Sequence, residues 1–335
     1  MGRSHPAGAS RVTALCARIA GLSAELGDVA DPRDRSTLLE LLRLLYRVGR
    51  EDLPLGRLFE GHVDAMQIVS RYGTAEQRAA MTGVVDAGGA IGVWNADAPG
   101  EPLRLAAGGL TGGKDFASGA GVLTHALVTV DAPAGRQLVM LDLARVPPAI
   151  DREVWRVVGM QRSETHSVRW HDAPLPSDAL LGLPGDYVRE PWFSGGALRF
   201  AAVQAGGIAS LVDGTRDHLL KAGRADDPHQ AGRLARLYAV AEAAAASVRH
   251  AADGWFRDDA ARLPLVAAAR AAVYAAGGEA IGLAQEAVGV QALFRDHPLS
   301  APVTDLSMYL RQPGPDAQRM QVGAAVAAGT LRVTL

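Results

Sequence analysis

Three candidates for taking a proton from carbon, Asp305, Asp316 and His297, lie near the C-terminus. The segment Asp305-Leu306-Ser307-Met308-Tyr309-Leu310-Arg311-Gln312-Pro313-Gly314-Pro315 carries one acid, Asp305, and Asp316 follows its Pro-Gly-Pro turn. His297 stands just upstream, in Arg295-Asp296-His297-Pro298. A carboxylate or imidazole serves as a general base when it is held within hydrogen-bond reach of its target. Asp316 reads as a solvated turn acid and His297 as a loop residue. No catalytic base is assigned from the residues.

Other chemistry finds little footing. The sequence has no Walker-type loop, no His-Glu-x-x-His pattern and no dinucleotide fingerprint after a strand. Asp213-Gly214 sits in a helical stretch without the acids of a calcium loop. Cys16 is the single cysteine; it excludes an intramolecular disulfide framework and a cysteine-rich zinc site, and its helical setting marks a buried bystander. No metal is expected. The formal net charge of −2 over 335 residues gives no reason to expect nucleic acid or an anionic membrane as partner. No apolar run approaches the ~20 residues of a bilayer span, and the start Met1-Gly2-Arg3-Ser4-His5-Pro6 has no apolar stretch behind its charge. The expectation is a cytoplasmic protein.

The hydrophobic period divides the chain into three: 1–88, 89–190 and 191–335. In the first, Val12, Leu15, Ile19 and Leu22 recur at helical spacing, as do Leu38, Leu41, Leu42 and Leu45. Asp34 or Ser36 is placed to cap the second helix, and Thr74-Ala75-Glu76-Gln77 reads as a capping box. In the second, the runs Ala126–Val130, Gln137–Leu141 and Ser167–Trp170 read as strands between glycine-rich loops, which predicts a small antiparallel barrel or sandwich. In the third, helical patterns cover Ala197–Asp217, Gln230–Arg257 and Leu263–Val288, with alanine at many facing positions, as in a tight bundle.

Several segments, in order, resemble the acyl-CoA dehydrogenase family. They are Tyr72-Gly73-Thr74-Ala75-Glu76-Gln77-Arg78, Val93-Trp94-Asn95-Ala96-Asp97-Ala98-Pro99-Gly100, Lys114-Asp115-Phe116-Ala117-Ser118-Gly119-Ala120 and Gly159-Met160-Gln161-Arg162-Ser163-Glu164-Thr165. Leu180-Leu181-Gly182 and Gly195-Gly196-Ala197-Leu198-Arg199 follow, then Ala222-Gly223-Arg224, Gln285-Glu286-Ala287-Val288-Gly289 and Asp305–Tyr309. The resemblance implies an α+β, mostly α fold: an N-terminal helical domain, here shortened, a middle β domain and a C-terminal four-helix bundle. It also implies FAD as cofactor, an acyl-CoA or other acyl thioester as substrate, and a homodimer or homotetramer.

The resemblance further implies site residues. Phe116 and Ser118 fall beside the isoalloxazine, with Trp94 and Asn95 in the other flavin-facing loop. Arg224 takes the place of a phosphate-binding arginine, although the aromatic-Gly pair that usually follows is replaced by Ala225-Asp226-Asp227-Pro228. Gln285 and Gly289 match the adenine-side contact, where Val288 replaces the first of two glycines and is expected to narrow the approach. Met160, Thr165 and His166 are candidates for lining the cavity. The family's catalytic Glu corresponds to Pro313, and its alternative position corresponds to Leu198; neither residue accepts a proton. The acid matching Asp305 is usually structural. The implied activity is an FAD-dependent oxidoreductase without its usual base. The alternatives are a flavin monooxygenase on the same scaffold, or an inactive member with a binding role.

Overall fold

The computed structural model describes residues 6–106, 109–312 and 314–333, with side chains described at all of these except 6–13, 28–29 and 106. The chain forms two compact units. One holds residues 1–31, 57–156 and 161–189; the other holds 32–56, 157–160 and 190–335. Secondary structure changes near the boundaries read from the sequence, with helices to Asp86, strands from Ile91 to Leu181 and helices again from Trp192. The compact units are drawn differently, because the N-terminal helices are shared between them.

The sheet unit contains α1 (Pro6–Leu26), most of α3 (Leu53–Tyr72), α4 (Ala75–Asp86) and the strands β1 (Ile91–Trp94), β2 (Arg104–Ala106), β3 (Gly109–Ala117), β4 (His125–Ala132), β5 (Gly135–Asp142), β6 (Ala149–Asp151), β7 (His166–Ala173) and β8 (Leu180–Leu181). The strands make one sheet in the order β6-β7-β3-β2-β4-β5-β8, with β1 paired to β4. Most pairings are antiparallel. β1 and β2 run parallel to β4, and the intervening β3 excursion supplies the long return that a parallel β1–β4 pair requires. Ala65, Ile68 and Val69 of α3 and Met81 of α4 close over Ile91, Leu127, Leu138 and Leu181 as one core cluster.

Two polar devices fix helices in this unit. Thr74 and Gln77 form the capping box: the Gln77 amide N–H donates to Thr74 Oγ1 at 3.2 Å, and Gln77 Oε1 accepts from the Thr74 N–H at 3.0 Å. The same Gln77 side chain donates to the carbonyls of Asp178 and Leu180 at 2.9 and 2.7 Å, tying the start of α4 to β8. His62 of α3 is fully buried; its Nδ1 accepts from the Ile91 N–H at 3.2 Å and its Nε2 meets Ser23 Oγ at 3.0 Å. Ser23 spends its own proton on the Ile19 carbonyl, so the imidazole is neutral with its proton on Nε2. Burial pushes its pKa down to about 4.

The helical unit contains α2 (Arg35–Glu51), α5 (Trp192–Gly195), α6 (Ala197–Lys221), α7 (Pro228–Trp255), α8 (Arg262–Val288), α9 (Ser300–Tyr309) and α10 (Pro315–Ala327). Small residues decide its packing. A Cβ on Gly206 of α6 would lie 2.0 Å from the Tyr46 carbonyl oxygen, and one on Gly49 of α2 would lie 2.2 Å from that of Val203. The two backbones therefore touch, and this draws α2 out of the N-terminal segment into the bundle. Arg50 seals the contact with a two-pronged ion pair to Asp213, at 2.6 and 2.7 Å. Trp192–Lys221 is long and apolar enough to cross a bilayer by length and composition. Yet 78% of its most apolar stretch is buried inside the protein, the pattern of a core helix.

Candidate functional site

In the sheet unit the end of β3 presents an aromatic ring beside a buried hydroxyl. Phe116 takes a positive φ of 54°, which a residue with a Cβ adopts only when its neighbours over-determine it, and its side chain is left 69% exposed. Ser118, two residues on, is buried. Thr165 Oγ1 donates to Ser118 Oγ at 3.1 Å and meets Ser163 Oγ at 2.8 Å. Because Thr165 spends its proton on Ser118, Ser163 donates to Thr165, and the chain of hydroxyls ends on a Ser118 proton still free to be given. The Gly119 N–H bonds the Ser163 carbonyl at 2.9 Å, pinning both ends of the ladder. Glu164, inside it, also holds a positive φ of 44°, with its carboxylate 3.0 Å from both Arg152 and His166 Nε2. His166 is buried, paired across the strands with Ala117, and its Nδ1 has no hydrogen-bond partner among the described residues.

Trp94 and Asn95 lie behind this surface. Trp94 is 1% exposed, its ring 6.4 Å from that of Trp170, and its Nε1–H donates to the Ser118 carbonyl at 2.9 Å. It supports the ladder from the core side. The Asn95 carbonyl accepts from Lys114 Nζ, Thr129 Oγ1 and Arg136 at 3.2, 3.2 and 2.8 Å. Lys114 is wholly buried on β3 and pairs with Asp97 at 2.5 Å, while Arg136 binds the other oxygen of Asp97 at 2.8 Å. Burial pushes the Lys114 ammonium down to about 8, against the pull of Asp97. For Asp97, burial alone would raise the carboxyl; the hydrogen bonds from Lys114 and Arg136 outweigh it and hold the group below the usual carboxylate range. This network anchors the C-terminal half of β3, two residues before Phe116.

The helical unit holds Leu198, Asp305, Asp316 and His297. Leu198 is 2% exposed, one residue into α6. Asp305 is buried on α9, and its Oδ1 accepts the Met160 N–H at 2.5 Å. A Cβ at Gly159 would stand 2.1 Å from the Thr304 carbonyl oxygen, so the chain at Gly159-Met160 lies flush on α9. Met160 takes φ 58° and is buried there. Asp305 is thus a backbone clamp. Asp316 is exposed and bonded to Arg319 at 3.0 Å. His297 lies in the turn before α9, with Nε2 3.2 Å from His218 Nδ1 and Nδ1 accepting the Leu299 N–H. Pro313 lies outside the described residues.

The three bundle positions assigned to the cofactor are open to solvent or nearly so. Arg224 is exposed in the turn between α6 and α7 and forms no ion pair among the described residues. The Asp227 carboxylate caps α7, accepting from the His229 and Gln230 N–H groups at 2.9 and 3.0 Å; the hydrogen bond from Gln230 foremost, with the Arg224 charge adding to it, holds its pKa below the usual carboxylate range. Gln285 is half-buried in the last turn of α8, and its carbonyl accepts the N–H of Gly289. Gly289 takes φ 77° and ψ −158°, a region essentially reserved for glycine, with nothing within 4 Å of a Cβ built there. Val288 beside it is buried. Among the described residues no group of three His, Cys, Asp or Glu side chains is placed to hold a metal.

Phe116, Ser118 and Thr165 were legible in the sequence, but the ladder itself was not. Its central bond joins residues 47 apart and exists only through the β3–β7 register. The Lys114–Asp97–Arg136 network likewise carries no local spacing signal.

No protein-family model matches the chain, and the search of curated proteins finds no match. Solved structures do match. TdsC from Paenibacillus sp. A11-2, in complex with FMN and indole, is 19% identical over 88% of this chain and 84% of its own, with a TM-score of 0.76. KijD3 in complex with FMN and dTDP-3-amino-2,3,6-trideoxy-4-keto-3-methyl-D-glucose is 19% identical over 99% and 96%, with a TM-score of 0.74. Butyryl-CoA dehydrogenase from Megasphaera elsdenii is 13% identical over 98% and 100%, with a TM-score of 0.76. The chain has the fold of the acyl-CoA dehydrogenases.

Proposed function

We propose that the protein is a flavin-dependent oxidoreductase that works without a carboxylate base, as a monooxygenase of small molecules. The observation that carries the flavin reading is the pairing of the exposed Phe116 ring with the Ser118 proton at the end of the Ser163–Thr165 chain. A flavin needs an apolar face against its ring and a donor toward its central nitrogen, and the donor set here fits. Phe116 stacks, Ser118 donates, and Trp94 and Asn95 hold the strand ends from behind. From the family resemblance, Arg224 is proposed as a phosphate contact of the flavin. When bound in reduced form, the flavin supplies the electrons that activate oxygen.

The choice of oxygenation over α,β-dehydrogenation rests on Leu198 and Asp305. The first is an apolar core side chain; the second has its carboxylate committed to the Met160 amide. Neither takes a proton from an acyl thioester. TdsC and KijD3, which share the fold, are described with FMN. We propose FMN on this likeness of fold, with FAD the alternative that the titration separates. A homodimer or homotetramer remains part of the proposal, checked by light scattering.

The test is titration of the purified protein with FMN and with FAD, followed by quenching of flavin fluorescence. Saturable binding is expected, with Ser118→Ala and Phe116→Ala each weakening it at least about tenfold, or ~1.4 kcal/mol. A protein that binds neither flavin overturns the proposal.

A further inference from the structure

Glu164 enters β7 with a positive φ of 44°, a conformation that favours glycine. It stands between the ladder residues Ser163 and Thr165, so its backbone angle decides whether their hydroxyls stay in line with Ser118. A residue with a Cβ keeps such an angle only when its surroundings over-determine it. The hold on Glu164 comes through its carboxylate.

Two groups reach that carboxylate. Arg152 bonds Oε2 at 3.0 Å, but its side chain is 54% exposed, and an ion pair open to solvent contributes little by itself. His166 Nε2 meets the same oxygen at 3.0 Å from a side chain that is only 7% exposed. The imidazole is fixed in turn: its residue pairs with Ala117 across β3 and β7, and Arg152 lies 3.2 Å from Nε2. The Arg152 guanidinium lies flat on Gly121, where a Cβ would stand 2.6 Å from Nη1. Gly121 belongs to the turn after Ser118, closed by the Val122 N–H on the Gly119 carbonyl at 2.9 Å. The cluster thus joins the exit of β3 to the entry of β7, on either side of the ladder.

The same contacts place the ring proton. A lone pair on Nε2 would face a carboxylate oxygen, whereas a proton there makes a charge-assisted bond. Nδ1 is then a bare acceptor, buried and without a partner among the described residues. An unsatisfied buried acceptor costs stability, and an apolar side chain of similar size avoids that cost. Packing alone therefore argues against histidine at 166; the bond to Glu164 is what the imidazole provides.

We propose that His166 is a positioning residue of the flavin site: by holding the Glu164 carboxylate it keeps residue 164 left-handed, and so keeps the Ser163–Thr165 chain on Ser118 and the Ser118 proton aimed at the flavin. His166 acts through Glu164 and touches no substrate. The step from ladder to flavin rests on the proposed function; the hold on the ladder is independent of it.

The test compares His166→Leu, His166→Gln, and His166→Leu combined with Glu164→Gly, all in the full chain. The first reading, without flavin, is amide hydrogen exchange at Gly119, whose N–H bonds the Ser163 carbonyl at 2.9 Å. His166→Leu should speed it at least about tenfold without lowering the urea midpoint. His166→Gln, whose amide nitrogen takes the place of Nε2, should stay within about threefold of the parent. Glycine adopts the positive φ unaided, so the combined variant should return to near the parent rate. The second reading is FMN titration, in which His166→Leu should weaken binding at least about fivefold and shift the flavin absorbance, with both recovered in the combined variant. Unchanged Gly119 exchange in His166→Leu overturns the proposal. So does exchange in His166→Gln as fast as in His166→Leu, or a combined variant that is not rescued, or a fall in the urea midpoint that matches the faster exchange. If His166→Leu is misfolded by circular dichroism, Glu164→Ala and Glu164→Gly carry the comparison: only the first should speed exchange, and equal rates overturn the proposal. Faster exchange with FMN binding and spectrum unchanged overturns the role at the flavin site. A parent that binds no flavin sinks the proposed function, and Gly119 exchange still decides the hold on the ladder.

Discussion

The sheet unit and the helical unit reach stability by opposite means. Most of the buried polar side chains belong to the sheet unit, among them Glu60, His62, Gln67, Gln77, Lys114, Ser118, Thr129, Gln137, Ser163, Thr165, His166 and Ser167. Several are saturated by named partners, as at Gln77, Lys114 and His62. The helical unit instead uses glycine and alanine to bring backbones together, and its buried polar groups, such as Asp305 and Gln204, clamp single carbonyls or amides. The candidate residues of each unit follow the contrast. Phe116 and Ser118 are held by a network that specifies one geometry, whereas Arg224 and Gly289 sit on exposed turns that tolerate change.

The contrast can be broken most severely in the helical unit. Gly206→Val forces a branched side chain against the Tyr46 carbonyl and should cost about 3 kcal/mol or prevent folding, read by urea denaturation. Next comes an acid sensitivity in the sheet unit. His62 has a pKa of about 4 in the fold against 6.5 in the unfolded chain, so between these values the unfolded state binds more protons. Stability is therefore lost as pH falls through that window, by on the order of 2–3 kcal/mol. His62→Gln, measured by denaturation at several pH values, should flatten that slope even if it lowers stability overall.

Smaller effects separate binding from folding. Phe116→Ala removes a largely exposed ring and should shift stability by no more than about 0.5 kcal/mol, while lowering flavin affinity at least about tenfold. Paired thermal melts and flavin titrations check it, and a large loss of stability would mean that Phe116 serves the fold instead. Arg224→Gln is predicted to change FMN affinity least, about two- to threefold, as suits an exposed charge screened by solvent. A loss as large as that of Phe116→Ala would show that the bundle-side contacts are the dominant ones.

Much of this is legible in the sequence. The helical patterns at Ala197–Asp217, Gln230–Arg257 and Leu263–Val288 match α6, α7 and α8 closely, because long amphipathic or alanine-rich stretches carry a strong period. The Thr74–Gln77 box was visible because capping is local. The transfer of α2 to the bundle was not, since it depends on Gly49 meeting Val203 and Gly206 meeting Tyr46, pairs separated by nearly half the chain. Nor was the difference in role between adjacent loop residues and Phe116: Trp94 has the residue type of a flavin contact, but strand register turns it into the core.

The most direct test is anaerobic addition of an acyl-CoA chain-length panel to the flavin-loaded protein, with flavin absorbance recorded. With Leu198 apolar and Asp305 bound to the Met160 amide, the flavin is predicted to stay oxidised with every member. Bleaching by any acyl-CoA would show that a base is present and would contradict the assignment of oxygenation over dehydrogenation.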